Sequence, residues 1–472
     1  MRESCNGGCF DRRDFLKISG TVAALGGFWT ATTALAQNGD ETANIPPIDK
    51  KKTKIAVLFM LPPMDAVNAN RQEVQQYTDK IVEFAKTYNI DLDLRGKIDT
   101  ETAMGETVAE IQAAPPDTLL VVNWETVFSQ RVLDILQQLT PLTMIVCHPA
   151  GSVNRQPPKE LTTTSGVLYI HSPKNWEAIE NAMVTVNAKK MAAQSRLLRV
   201  NEDKEPTKAI DKNLGIEIVT APLAEYDALF ESIKADDAMI RDAMAFKARA
   251  TEVIDVEDKY FVEGFRAKKA ASEIIKRYGA DAITMRCLML GERRPCIAYS
   301  LYNGALIPCA CEDDWGAALS LMIGAYLFKR AGFMHNPGLD VERNWYYGTH
   351  CTCALELHGP GKGEQPFCVK PFPHHLPKTA ALDVQMTPGE KTILMRYMPL
   401  RNRIAVYTGT MVNSTEISVG CATRFAMTVD NIDDIRSMDH GPHPIMYCCT
   451  ATEAKRAKAF AALAQLEFVG NV

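Results

Sequence analysis

The chain has 472 residues, of which 46% are hydrophobic and 23% charged, and a net charge of -5. This is ordinary globular composition, and without a basic surplus it argues against nucleic acid as the main partner and for a small molecule. About 435 residues follow the first 36, more than one hydrophobic core normally serves, so two or three domains are expected.

The paired Arg12 and Arg13 stand before an apolar stretch from about Ile18 to Leu35 that is broken by Gly20, Gly26 and Gly27 and ends in Ala34-Leu35-Ala36. A positive segment, an interrupted apolar segment and a small-residue end predict a processed twin-arginine signal peptide over residues 1–36, cleaved before Gln37. The expectation is export by the twin-arginine machinery to the periplasm or another extracytoplasmic space, with a polar linker over 37–52. No later run approaches the roughly 18 apolar residues that span a bilayer, so no stable membrane anchor is expected. Eleven cysteines follow residue 36, and an odd number cannot all pair. The C-x-C spacing of Cys309/Cys311 and Cys351/Cys353 differs from that of common zinc knuckles.

From residue 54 the run Lys-Ile-Ala-Val-Leu-Phe reads as a buried strand, followed by a helix over 73–88. Short apolar runs at 119–123 and 143–147 alternate with a helical run at 128–139. Such alternation predicts a parallel sheet with helices on both faces, and the first α/β domain is placed at 53–190. A second set follows in 191–379, with strands at 215–220 and 282–286 and helices at 224–234 and 260–278. The fold class expected is α/β, with two Rossmann-like domains and a third, mainly β domain over 380–472 that ends in a helix at 451–466. Its strands are expected at 391–397, 403–409, 418–424 and 425–429. No glycine fingerprint follows any predicted strand, and Gly359-x-Gly361-x-Gly363 lacks the strand-turn-helix context, so a nucleotide cofactor is not expected.

Chemistry concentrates between Cys309 and Cys353, where Glu312, Asp313, Asp314, His335, Asn336, Asp340, Glu342 and His350 crowd into a short span. The acids at 312–314 open an apolar helix running to Leu327. Capping and the helix dipole account for one of Asp313 or Asp314 without any function. Carboxylates with histidines suit an octahedral, manganese-type ion with positions left open.

The segment Cys311-Glu312-x-Asp314-Trp315-x-Ala317-Ala318-Leu319 resembles the glutamate-bearing motif of the L-fucose and L-arabinose isomerase superfamily. Gly332-Phe333-Met334-His335-Asn336 resembles the strand that brings the family's second carboxylate, and Gly348-Thr349-His350-Cys351 its Gly-Ser-His ligand motif. Asp439-His440-Gly441-Pro442-His443-Pro444 resembles the late histidine motif, with His443 the better match and His440 the alternative. The resemblance implies an isomerase-like fold, a homo-oligomer (trimer or hexamer), a carbohydrate substrate and a divalent metal, Mn for preference, held by Glu312, Asp340, His350 and His443. It implies an enzyme of carbohydrate metabolism that interconverts aldose and ketose, with Glu312 and Asp340 as catalytic groups.

Where the family carries a carboxylate after Phe-Met, this chain has His335 and Asn336, with Asp340 the nearest acid. Either Asp340 takes that role or the second carboxylate is missing. Arg286, Trp315, His335 and Asn336 are the candidate substrate-binding residues. Arg286 is placed by its position at the carboxyl edge of a predicted parallel strand, where ligands of open α/β sheets sit. An ordinary ion pair suits Arg286 equally, and core packing suits Trp315. His148 and His171 follow predicted strands and are read as structural, His374 and His375 as solvated or interfacial, and Cys351 as a packed thiol. The other functions compatible with the same residues are an exported carbohydrate-binding protein without turnover and a metal-dependent sugar lyase or epimerase.

Overall fold

The computed structural model describes residues 50–61, 67–124, 130–139, 142–149, 158–171, 174, 176–202, 205–413, 420–436 and 441–472. The expected leader, most of the linker and His440 lie outside the described residues. The chain is α/β and divides into two compact units, Lys52–Met183 and Val184–Val472, the second also taking in Lys50 and Lys51. Among the described residues no helix is long and apolar enough to cross a membrane.

The first unit is built on a five-stranded parallel sheet in the order Asp91–Ile98, Lys54–Met60, Thr118–Asn123, Thr143–His148, Val167–His171. Its central strand, Thr118–Asn123, is buried at every position, as a strand covered on both faces must be, and this explains its unbroken apolar run. The helix Glu101–Ala113 starts at Thr100, whose hydroxyl accepts from the Ala103 amide, and buries Met104, Val108 and Ile111. The helix Gln130–Leu139 buries Val132, Ile135, Leu136 and Leu139, the three-and-four spacing of one helix face. At the carboxyl end of the sheet His148 meets the Asn123 amide at 2.9 Å and the Tyr169 hydroxyl at 3.2 Å. It is 8% exposed and serves as a satisfied structural histidine.

The second unit holds another five-stranded sheet, in the order Cys309–Ala310, Ala282–Met285, Arg196–Asn201, Glu217–Pro222, Thr207–Ile210. Only the last strand is antiparallel to its neighbour. A mainly antiparallel sheet runs Phe333–Met334, Ile445–Tyr447, Lys391–Met398, Arg403–Asn413, Thr423–Val429, Trp345–His350, Asn336–Asp340, with Glu467–Gly470 pairing parallel to Arg403–Asn413. The strands expected at 418–424 and 425–429 are represented by one, Thr423–Val429.

The helix Trp315–Phe328 is buried on all sides, the pattern of a helix sealed inside a core rather than lying on a surface. One apolar cluster joins Leu197 and Ile283 of the parallel sheet, Leu319 and Met322 of this helix, Ile393 and Tyr447 of the antiparallel sheet, and Ala457 of the helix Ala451–Leu463. Residues 380–472 thus share their core with the central α/β segment.

Close approach at this helix is enforced at Gly324, where an added Cβ would stand 2.1 Å from the Tyr447 hydroxyl. Both partners are buried, with Tyr447 0% exposed and its hydroxyl donating to Ser320 O at 3.0 Å. Gly324→Ala is therefore expected to lower unfolding stability by about 2 kcal/mol or more, the cost of overpacking a filled core, read as a lowered urea midpoint with an unchanged slope.

Candidate metal centre

The parallel sheet ends at the strand Cys309–Ala310 and the chain then turns sharply. Glu312 and Asp313 have φ of 62° and 55°, two consecutive side-chain-bearing residues in the left-handed region, at a cost on the order of 1–3 kcal/mol each. The turn is held from three sides. The Asp313 amide donates to Met285 O at 3.1 Å and the Asp314 amide to Cys311 O at 3.1 Å, and Arg199 donates two bonds to the Asp313 carboxylate at 2.9 and 2.6 Å. Asp314 then caps the buried helix, accepting from the Ala317 amide at 2.9 Å.

The strained turn brings Glu312 to two histidines from distant segments. His350, at the end of the strand Trp345–His350, places Nε2 3.6 Å from Glu312 Oε1. His443, just before the strand Ile445–Tyr447, places Nε2 3.6 Å from Glu312 Oε2. One donor atom from each of the three lies within 4.8 Å of the other two, although they are separated by up to 131 positions in the chain. His350 is 1% exposed and His443 3%. The His350 Nε2 atom is buried and has no hydrogen-bond partner, an arrangement that folded proteins rarely tolerate without a missing ligand, ion or water.

The surrounding groups set the imidazoles' orientation. Asp314 Oδ2 meets His443 Nδ1 at 2.8 Å, so with the carboxylate ionised Nδ1 carries a proton, and in the neutral imidazole Nε2 is the ligating nitrogen on the Glu312 side. Asp314 Oδ1 accepts from Arg396 Nη2 at 2.7 Å, and Arg396 Nη1 donates to His443 O at 2.7 Å. His350 Nδ1 faces Thr352 Oγ1 at 3.5 Å and Cys351 Sγ at 3.6 Å. A carboxylate behind a histidine is the usual outer support of a metal-binding imidazole.

The electrostatics point the same way. His350 and then His443 hold the Glu312 carboxyl well below its ordinary range. Burial disfavours a charged His350, but Cys311 and Glu312 outweigh it and push its pKa up to about 9. Burial likewise opposes a charged His443, and Asp314 and Glu312 push it up. Burial also opposes the charged form of Asp314, yet His443 and Arg396 hold it down at about 2. The pocket favours a cation between these donors, and protons compete for that role.

The pH dependence follows from these signs. Without metal, the stabilisation tied to His350 is complete below its ordinary value of 6.5 and is lost as pH rises through about 9. That tied to Glu312 is present above its ordinary value of 4.5 and is lost as pH falls below it. The metal-free protein is therefore expected to lose this contribution between about pH 6.5 and 9, whereas saturating Mn(II) should stabilise more as pH rises, because only neutral imidazoles bind metal. Thermal melts across that range with and without Mn(II) read the two slopes, and parallel curves would count against the centre.

Not every expected residue joins it. Asp340 lies at the far end of the hairpin, paired with Trp345, five residues and about 17 Å along the strand from His350 at about 3.4 Å per residue. Its carboxylate accepts from the amides of Glu342 and Arg343 and from Arg343 Nε at 2.7 Å, so it stabilises a turn and is not brought together with Glu312, His350 and His443. His335, expected to touch substrate, is 0% exposed. Its Nδ1 faces Phe333 O at 2.9 Å, its Nε2 meets the Tyr346 hydroxyl at 2.7 Å, and its ring lies against Phe425. Both nitrogens are engaged in the core.

Asn336 is exposed and pairs with Thr349, one residue before His350. Arg286 is exposed and ion-paired with Glu202 at 3.1 Å, directly after Met285, whose carbonyl anchors the Glu312 turn. Trp315 is half-buried against the core, as the packing reading expected. His375 is exposed, and His374 is exposed with Nε2 3.1 Å from Cys421 Sγ. Sequence reasoning missed Arg396 and the joint role of Asp314. The only sequence signal for the latter was its place two residues after Glu312, which also suits a plain cap.

No family model matches the chain, and no curated protein matches it. Among solved structures, an ABC transporter solute-binding protein from Burkholderia multivorans is similar to 51% of this chain and 81% of its own, at 12% identity and a TM-score of 0.19. At that score it defines neither the fold nor a ligand.

Proposed function

We propose that Val184–Val472 forms a divalent-metal centre acting on a free sugar or similar polyhydroxylated small molecule, by aldose-ketose isomerisation of the kind performed by the L-fucose and L-arabinose isomerases. The reading rests on one observation: Glu312, His350 and His443 converge within 4.8 Å around a buried, unpartnered imidazole nitrogen. These residues fit a metal of the Mn type, with one carboxylate and two imidazoles as ligands and open positions remaining.

A bound divalent ion would polarise neighbouring substrate oxygens as a Lewis acid. Glu312 is the group that moves the proton, removing it from C2 of the open-chain sugar and returning it at C1. Its partial exposure, 29% for the side chain, leaves it reachable from solvent while both imidazoles stay buried. Asp314 keeps His443 in the ligating tautomer, and Arg286 beside the turn orients a substrate hydroxyl. The same proposal reads the parallel sheets as Rossmann-like within an isomerase-like fold. It places the protein outside the cytoplasm after removal of a twin-arginine leader and assembles it as a trimer or hexamer.

A second reading is an exported carbohydrate-binding protein that does not turn its ligand over. Asp340 on its turn and His335 in the core favour it, because among the described residues no second carboxylate joins Glu312, His350 and His443 in the metal-capable group. Purified protein loaded with Mn(II) and incubated with pentoses, hexoses and deoxyhexoses in deuterated water separates the two. Isomerisation predicts deuterium on the sugar carbon, and ligand binding without deuterium or product supports the binding protein. No bound divalent ion and no rise in melting temperature with Mn(II) would sink the isomerase reading and leave the binding protein.

A further inference from the structure

Beside the metal centre lies a feature that the proposed function does not use. Five thiols from separate segments meet in the interior of the second unit. Cys351 Sγ stands 3.9 Å from Cys296 Sγ and within 4.8 Å of Cys311 Sγ, Cys421 packs in the same buried cluster as Cys296 and Cys351, and Cys287 shares the adjoining core with Cys311. All five are at most 6% exposed, and all are free thiols. They form a string centred on Cys351, with Cys311 on one side and Cys296 and Cys421 on the other. The Cys421 end reaches the exposed His374, whose Nε2 is 3.1 Å from Cys421 Sγ.

A buried cation lies beside the string. Arg294 is 3% exposed, and its hydrogen bonds among the described residues go to neutral oxygens: Leu288 O, Pro377 O, Leu376 O and the Thr379 hydroxyl. The groups of opposite potential charge that act on it are the thiols of Cys296, Cys287 and Cys351. A buried guanidinium without a carboxylate is costly, and an anionic complex among these sulfurs would offset it.

We propose that this thiol array is a binding site for monovalent copper. Soft thiolate donors select thiophilic ions such as Cu(I) and Zn(II). Structural zinc takes a closed tetrahedral cage, whereas these sulfurs form neighbouring pairs along a string, which suits the two- and three-coordinate preference of Cu(I). Binding across Cys296 and Cys351 releases two thiol protons to solvent and leaves the copper oxidation state unchanged. The resulting bis-thiolate complex carries one negative charge, matching the single positive charge of Arg294. His374 and Cys421 at the exposed end provide the route by which the ion enters.

The test uses the reduced, full-length protein titrated anaerobically with Cu(I) in competition with bicinchoninate. Wild type is expected to retain copper, with a sulfur-dominated coordination shell by X-ray absorption. Cys296→Ser and Cys351→Ser should each weaken retention by more than about 10-fold, the least that loss of a metal-supporting group costs. Cys368→Ser, at a half-buried thiol bonded to Thr251, should not change it. Retention unaffected by Cys296→Ser and Cys351→Ser, or a nitrogen- and oxygen-dominated copper shell in wild type, overturns the proposal. The absorption measurement needs no variant and stands even if a substitution prevents folding. Glu312→Gln should retain copper normally, so failure of the Mn(II) reading and failure of the copper reading are separable.

Discussion

Glu312→Gln is expected to abolish tight Mn(II) binding and, with it, any turnover. The amide keeps the size of the carboxylate and the same backbone demand at φ 62°, so the turn should survive. Only the negative charge is lost. Glu312 faces both imidazoles, at 3.6 Å each, and supplies the sole carboxylate in the three-donor group. Changing a group that merely supports a ligand costs about 10–100-fold in metal affinity, and removing an anionic ligand should exceed that. Isothermal titration with Mn(II) reads the affinity, and the Mn(II)-induced rise in melting temperature checks it. A variant that is stabilised by Mn(II) as strongly as wild type would remove Glu312 from the centre. The His350 pKa should also fall in the metal-free variant, since Glu312 is one of the groups that raise it.

Asp314→Asn should produce the other large effect, on stability and metal affinity together. Asp314 accepts from the Ala317 amide, Arg396 and His443, and its side chain is 9% exposed. Asparagine is as good a helix cap as aspartate, so the helix start is preserved while the charge is removed. Arg396, 5% exposed, is then left without its anionic partner, and breaking a buried pair in this way costs about 3–5 kcal/mol. His443 also loses the carboxylate that fixes its tautomer, which should weaken Mn(II) by about 10–100-fold. A double-mutant cycle with Arg396→Met separates the ion pair from the metal effect. If Asp314→Asn leaves both the denaturation midpoint and the Mn(II) affinity within error of wild type, Asp314 is only a cap.

Much of the second unit's chemistry was legible because its signals are local. The acids before the apolar run at 315–328 mark a helix start, and a helix apolar on every side can only be an interior one. Glu312 precedes a helix that the apolar pattern marks, whereas His350 and His443 were singled out by the resemblance of their flanking motifs, and only the structure shows that each stands at the edge of a strand. Asp340 was misleading because sequence proximity was taken for spatial proximity. The antiparallel pairing of Asn336–Asp340 with Trp345–His350 carries Asp340 away from His350 residue by residue. His335 occupies the place where a carboxylate was expected, and only the positions of Tyr346 and Phe425 reveal that its ring is spent in the core.

The sequence by itself determined the α/β alternation, most of the helices and the acidic start of the helix at 315–328, because these depend on side-chain periodicity and on contacts a few residues apart, whereas Glu312, His350 and His443 were picked out by the resemblance of their motifs to those of the isomerase superfamily. Tertiary structure alone decided that residues 380–472 share one core with the central sheet, that Arg396 bridges Asp314 to the His443 backbone, and that five cysteines become neighbours. Those features depend on strand register and on packing between segments up to more than a hundred residues apart, and the pattern of a single segment does not encode them.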